Sequence, residues 1–180
     1  NITVAKSYLK LFCLSCLTLI VSCKKDMKTQ SDNILLQEWQ GPYGGVPAFD
    51  QMNVSDIQSA VETGMELNLA EIETIANSKE PATFENTIAA MERSGAELDR
   101  VFSYYGIMSS NMSSPEFREV QGVLAPKLSE FSSKINQNKA LFNRIKAVYD
   151  ASMTTPLDAD QQRVVELTYN SFAMRGAELS

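Results

Sequence analysis

The chain has 180 residues, with 16 Lys+Arg against 22 Asp+Glu and no His. This length fits one domain or a piece of a larger one. A net charge of -6 leaves no basic excess to neutralise phosphates, so no nucleic-acid partner is expected. Without imidazole these residues form no Ser-His-Asp triad, no Cys-His pair and no zinc site with histidine ligands. A carboxylate-only acid–base site stays open, but a self-contained hydrolase is not expected.

Residues 1–22 read as an export signal. Lys6 and Lys10 precede an apolar run, Leu11 to Val21, interrupted only by Ser15 and Thr18. At 11 residues it is too short to cross a bilayer as a helix. It ends in Ile20-Val21-Ser22-Cys23, which resembles the bacterial lipobox. That resemblance implies cleavage before Cys23, a lipid on Cys23, and an exported protein anchored in a bacterial cell envelope. The alternative is a plain signal peptide with a chance cysteine. Cys13 and Cys16 form a C-x-x-C, but inside the apolar run they read as small apolar residues rather than redox or metal ligands. Cleavage would remove two lysines and no acid, taking the net charge from -6 to -8. An acidic chain is not drawn to an anionic membrane by charge. The lipid must then do the anchoring.

Residues 23–32 are polar and without periodicity, as in a flexible tether. Residues 33–180 read as a helical domain. It opens with the apolar patch NILLQEW (Asn33 to Trp39) and the Gly/Pro-rich loop GPYGGVPAFDQM (Gly41 to Met52), whose Tyr43, Val46 and Phe49 are expected to pin it to an apolar surface. The spacing of Ile57, Val61, Met65, Ile72 and Ile75 predicts a helix from Asn53 or Ser55 to about Ala76.

Thr83 is a good N-cap for a second helix, with Glu85 in the first turn. Phe84, Ile88, Met91, Gly95, Leu98, Phe102 and Tyr105 alternate at spacings of four and three, which predicts one continuous stripe. Gly95 on that stripe would let a neighbouring helix come close. Ser114-Pro115 starts a third helix facing inward through Phe117, Val120, Leu124, Leu128, Phe131 and Ile135, with a kink or break expected at Pro126. Asn138 caps a fourth, to about Asp150, with Phe142, Ile145 and Tyr149 inward. Asp158, with Gln161 three residues on, opens a fifth through Val165, Thr168, Tyr169 and Phe172. No segment alternates like a strand. The fold class is therefore all-α, with antiparallel helices. The chain starts at Asn1 rather than Met, and Ser180 falls within a helical pattern, so a fragment of a longer protein is expected.

Few residues suggest chemistry. Glu62 and Glu66 are an i,i+4 pair with Glu71 and Glu73 nearby, but a di-metal bundle would need Glu-x-x-His partners. A solvated face is the expected reading. Glu92, Glu97 and Asp99 alternate with Arg93 and Arg100 as on an exposed helix surface. Phe102, Tyr104 and Tyr105 are placed to line either a groove or the core, with Tyr104 at a rim. Met91, Met108 and Met112 read as packing residues.

Several stretches are familiar together. PATFENTIAAMERSG (Pro81 to Gly95) strongly resembles an N-terminal motif of thimet-oligopeptidase-like zinc metallopeptidases, and GPYGGVPAFDQM resembles their opening loop. AEIETIAN (Ala70 to Asn77), APKL (Ala125 to Leu128), ALFNRIKAVYD (Ala140 to Asp150) and RGAELS (Arg175 to Ser180) follow in the family's order. The likeness runs from Asn33 to Ser180 and is closest to the peptidyl-dipeptidase (dipeptidyl carboxypeptidase) branch, with oligopeptidase A near. SEFSSKINQN after APKL and SAVETGM around Glu62 depart from the usual pattern.

The resemblance implies a large, two-lobed helical metallopeptidase built around a deep channel. It is expected to hydrolyse short peptides and release dipeptides from their C-termini. Zinc is bound in the full-length enzyme by an H-E-x-x-H helix and a further Glu. Those ligands are absent from this segment, so no catalytic residue and no metal ligand is assigned here. The implied role of residues 33–180 is an inactive channel wall, and a monomer is expected. The competing expectation is a non-enzymatic helical lipoprotein that binds peptides or envelope components.

Overall fold

A computed structural model describes residues 33–155 and 157–175. The signal segment, Cys13, Cys16, Cys23 and the tether lie outside the described residues, as does most of RGAELS.

Most described helices start at a side-chain acceptor or, in one case, at a left-handed glycine. A 3-10 turn, Ile34–Leu36, is capped by Asn33, whose side chain accepts from the Leu35 N–H. Helix α1 is Val54–Ala76, next to Asn53. Thr83 caps a π-helix, Phe84–Ile88, which runs into the short α2, Ala89–Glu92. Helix α3, Ala96–Ser110, follows Gly95. Ser114 accepts from the Phe117 N–H at the start of α4, Pro115–Asn136. Asn138 does the same for Leu141 in α5, Lys139–Ser152, and Asp158 for Gln161 in α6, Ala159–Met174. These bonds satisfy N–H groups that the first turn of a helix leaves open. The described residues contain no strand, only an isolated bridge between Gln40 and Val46.

The stripe from Phe84 to Tyr105 is not one helix. The Thr83 cap is present, but the first turns widen to π geometry, and the chain breaks at Ser94-Gly95. Gly95 has φ +81°, and a Cβ there would stand 3.0 Å from the Asn68 amide nitrogen. The close approach expected of Gly95 is therefore real, but it comes with a left-handed backbone that ends one helix and starts the next. Spacing alone did not register this, and after the break the buried face is Leu98, Val101, Tyr104 and Met108, with Phe102 and Tyr105 of the stripe only partly buried.

Pro126 behaves in the opposite way. Helix α4 continues through it without a break. Its missing N–H falls on an exposed stretch of the helix, where water can serve the freed carbonyl.

The core has two clusters, and α1 contributes to both. The first holds Leu35, Leu36, Ile57, Val61, Met65, Leu98, Val101, Tyr104, Met108, Phe117 and Leu124. Here α1 and α3 touch closely: a Cβ on Gly64 would lie 3.1 Å from the Leu98 Cα. The second holds Ile72, Ala76, Ile88, Leu141, Phe142, Ile145, Val148, Val165 and Phe172. Tyr169 bridges α5 and α6 in this cluster, stacking on Tyr149 at 4.2 Å and on Phe142 at 5.8 Å.

Tyr104 is not at a rim. It is fully buried, and its hydroxyl accepts the Ala48 N–H at 2.8 Å. Trp39 and Phe49 meet its ring edge-on. The loop is pinned by these contacts, so Phe49 does what was expected of it, while Tyr43 and Val46 are exposed instead. Met108 is core as expected and Met91 is partly buried, but Met112 is exposed.

Candidate functional site

The best-built polar feature lies where two of the family-like stretches meet. PATFENT folds as a capping box: the Asn86 N–H donates to Thr83 Oγ1 at 3.1 Å, and Asn86 Oδ1 accepts the Thr83 N–H at 2.8 Å. The Asn86 amide also donates to the Pro81 carbonyl at 2.9 Å. Arg144, from ALFNRIKAVYD on α5, reaches the same atoms. Its Nη1 donates to the Ser78 and Glu80 carbonyls at 3.2 and 2.9 Å. Its Nη2 donates to Asn86 Oδ1 at 2.8 Å and Thr87 Oγ1 at 3.1 Å.

Arg144 is 8% exposed and Thr87 is fully buried. The guanidinium fork thus ties the Ser78–Thr87 connection to α5 through neutral acceptors. Sequence reasoning missed Arg144. A signal was present: it lies three residues after Leu141 and four before Val148, on the apolar face of α5. An arginine at such a place is held by a set of acceptors or does not stay buried.

The π-helix forms one side of an open groove of about 480 Å³ lined by Phe84, Ala89, Glu92, Arg93, Val164, Leu167 and Thr168. A second groove of about 510 Å³ is lined by Leu69, Ile72, Glu73, Lys134 and Asn138. Both are mixed apolar and polar hollows, each with one acidic and one basic residue in its lining, Glu92 and Arg93 in the first and Glu73 and Lys134 in the second.

Glu62, Glu71 and Glu73 of α1 have separate structural partners. Glu62 pairs with Lys127 of α4 and accepts from the Gln58 amide. The Lys127 hydrogen bond, followed by that from Gln58, holds the Glu62 carboxyl below its usual pKa. Glu66 is exposed. Glu71 Oε2 accepts the Gly95 N–H at 2.7 Å, bracing the break between α2 and α3. Glu73 Oε1 accepts from the Asn138 amide at 2.9 Å. Arg100, read as a surface residue, instead donates from Nε and Nη2 to the Leu36 carbonyl and pairs with Glu97. No group of three or more His, Cys, Asp or Glu among the described residues is arranged to hold a metal ion. These residues do not fit a zinc site. No described helix is long and apolar enough to cross a membrane.

Residues 58–180 match the family model of the neurolysin/thimet oligopeptidase N-terminal domain. The chain is 32% identical to the dipeptidyl carboxypeptidase of Salmonella typhimurium over 150 residues, covering 83% of this chain and 22% of that protein. It is 33% identical to the dipeptidyl carboxypeptidase of Escherichia coli over 134 residues, covering 74% and 20%. With oligopeptidase A of Haemophilus influenzae the identity is 29% over 137 residues, covering 76% and 20%. The chain spans about a fifth of the length of these curated relatives, which are peptidases by name. With an all-helical fold, and the PATFENT and ALFNRIKAVYD stretches joined at Arg144, the chain belongs to the neurolysin/thimet oligopeptidase family through its N-terminal domain.

Proposed function

We propose that this chain is a non-catalytic wall of the substrate channel in a zinc metallopeptidase that removes dipeptides from the C-termini of short peptides. The likeness to two proteins named dipeptidyl carboxypeptidase carries the reading. The residues support a structural role for the segment. Glu62, Glu71 and Glu73 are committed to bracing helices, and the buried Arg144 guanidinium holds backbone carbonyls. Zinc belongs to the full-length protein, on ligands outside this segment. We further propose that Cys23 carries a lipid that holds the protein at a bacterial envelope membrane, with Lys24 to Asp32 as the tether.

Full-length protein and an N-blocked tripeptide test the activity. A chelator is expected to stop release of the C-terminal dipeptide, and added zinc to restore it. Amidation of the peptide C-terminus is expected to prevent cleavage. Equal cleavage of internal bonds in amidated peptides would instead indicate an oligopeptidase of the oligopeptidase A type. Purified residues 33–180 are expected to hydrolyse nothing, and measurable turnover by them would sink the wall assignment. Cys23→Ser is expected to move the protein from the membrane fraction to the soluble one.

A further inference from the structure

The two core clusters belong to two bodies that share α1. In the first, the 3-10 turn, α3 and α4 gather on the N-terminal half of α1, with α3 tight against Gly64 and the Ala48 N–H held by Tyr104. In the second, the π-helix, α2, α5 and α6 gather around its C-terminal end, and the Arg144 fork ties the Ser78–Thr87 connection to α5. Among the described residues, and apart from Ile135 at the end of α4, the elements of one body do not pack broadly on those of the other except through α1.

The stretch of α1 between the two bodies is polar. Its buried stripe runs Val61, Met65, Asn68, Ile72 and Ala76, so an amide stands where the periodicity asks for an apolar side chain. Asn68 is 8% exposed, while Glu66, Leu67, Ala70 and Glu71 around it face solvent. The chain crosses between the bodies at Ser94-Gly95 and again at Gln137-Asn138, and α1 braces both crossings with polar groups. The Asn68 amide donates to Ser94 Oγ at 3.1 Å, Glu71 Oε2 accepts the Gly95 N–H at 2.7 Å, and Glu73 Oε1 accepts from the Asn138 amide at 2.9 Å.

Such a seam opens at lower cost than either body. Parting apolar surfaces exposes them to water at a cost that grows with their area. Parting hydrogen-bonded groups at a half-exposed site exchanges protein partners for water, with a small net loss. The seam also has room. The open groove of about 510 Å³ runs along it, lined by Leu69 and Glu73 of α1, Lys134 of α4 and Asn138 at the second crossing.

We infer that the domain is hinged at this polar waist. The π-helix, α2, α5 and α6 swing as one body against the 3-10 turn, α3 and α4. Because α1 runs through unbroken, the swing is a bend of that helix with backbone rotation at Gly95 and Gln137. The groove beside Asn138 widens and narrows with it. The hinge needs only contacts within this chain, so it does not depend on the wall assignment.

Pairs of nitroxide spin labels on introduced cysteines in the full-length protein, read by double electron–electron resonance, test the hinge. Exposed positions serve as label sites. Glu116→Cys with Asp160→Cys spans the two bodies, Asp99→Cys with Glu116→Cys lies within the first, and Lys139→Cys with Asp160→Cys lies within the second. The spanning pair is expected to give a broader or split distance distribution than either internal pair. Glu71→Ala together with Glu73→Ala, both at exposed positions, is expected to broaden it further. Asn68→Leu, which completes the apolar stripe, is expected to narrow it. A spanning distribution no broader than the internal ones overturns the hinge. A broad one that Glu71→Ala with Glu73→Ala leaves unchanged overturns its location at this waist.

Discussion

Around the N-terminal half of α1 the core is closed by rings and methyl groups. Tyr104 is packed between Trp39 and Phe49, and α3 crosses α1 at Gly64. Around its C-terminal half a guanidinium is buried against carbonyls, an amide and a hydroxyl. Both solutions hold helices together, but they fail differently. A packed apolar contact loses stability in proportion to the space left empty. A buried polar hub that loses its centre leaves several groups desolvated and unpaired at once.

The largest expected effect therefore lies in the second cluster. Arg144→Ala is expected to cost about 3–5 kcal/mol, because two carbonyls, Asn86 and Thr87 lose their donor together. Arg144→Lys is expected to recover little, since one ammonium does not reproduce the fork. Urea unfolding measures both, and a loss for Arg144→Ala below about 1 kcal/mol would show that the hub adds little. Trp39 is the only tryptophan in the chain and lies beside Tyr104, so its fluorescence reports on the first cluster. Coincidence of the fluorescence and circular dichroism transitions in Arg144→Ala would make the two clusters one cooperative unit. Separated transitions would make them two.

The junction between the clusters comes next. Gly95→Ala is expected to cost about 2 kcal/mol, from the left-handed backbone and the crowding on Asn68. In the first cluster Tyr104→Phe is expected to cost about 1–2 kcal/mol, read from the urea midpoint, because the Ala48 N–H loses its acceptor while the packing stays.

The smallest effect is at the surface. The Glu62–Lys127 pair is partly exposed, so solvent screening limits it to about 1 kcal/mol or less. The folded state lowers the Glu62 pKa, so the contribution of this carboxylate is complete above the ordinary value and is lost as pH falls through the lowered one. Urea midpoints of native and Glu62→Gln protein are expected to differ at neutral pH. They should converge as pH falls through the lowered folded-state value, below which the carboxylate is protonated in both the unfolded and folded chain.

Much of the helix inventory was readable from local chemistry. Ser114-Pro115, Asn138 and Asp158 announce helix starts because a short polar side chain can reach the N–H of the third helical residue without help from the rest of the chain. Thr83 did so as well, although the turn that follows is π rather than α. The hub was half legible: PATFENT and ALFNRIKAVYD stood out as familiar, but neither shows that it completes the other. The acceptors of Arg144 lie about sixty residues away in sequence, so no local pattern pairs them. Tyr104 was misplaced for a similar reason. It lies off the predicted stripe, and its place on the helix did not foretell that a loop from before α1 would cover it and supply the Ala48 N–H.

By itself the sequence determined that the chain is all-α, that a histidine-based site cannot arise from these residues, and which family its ordered motifs resemble. Caps, periodicity and composition act over one or two turns and need no tertiary partner. Only the tertiary structure decided where the long stripe breaks, that α4 passes through Pro126, and that Arg144 and Tyr104 close the two halves of the core. Those outcomes depend on groups brought together from distant parts of the chain. There, close approach and the pairing of buried polar groups override the local pattern.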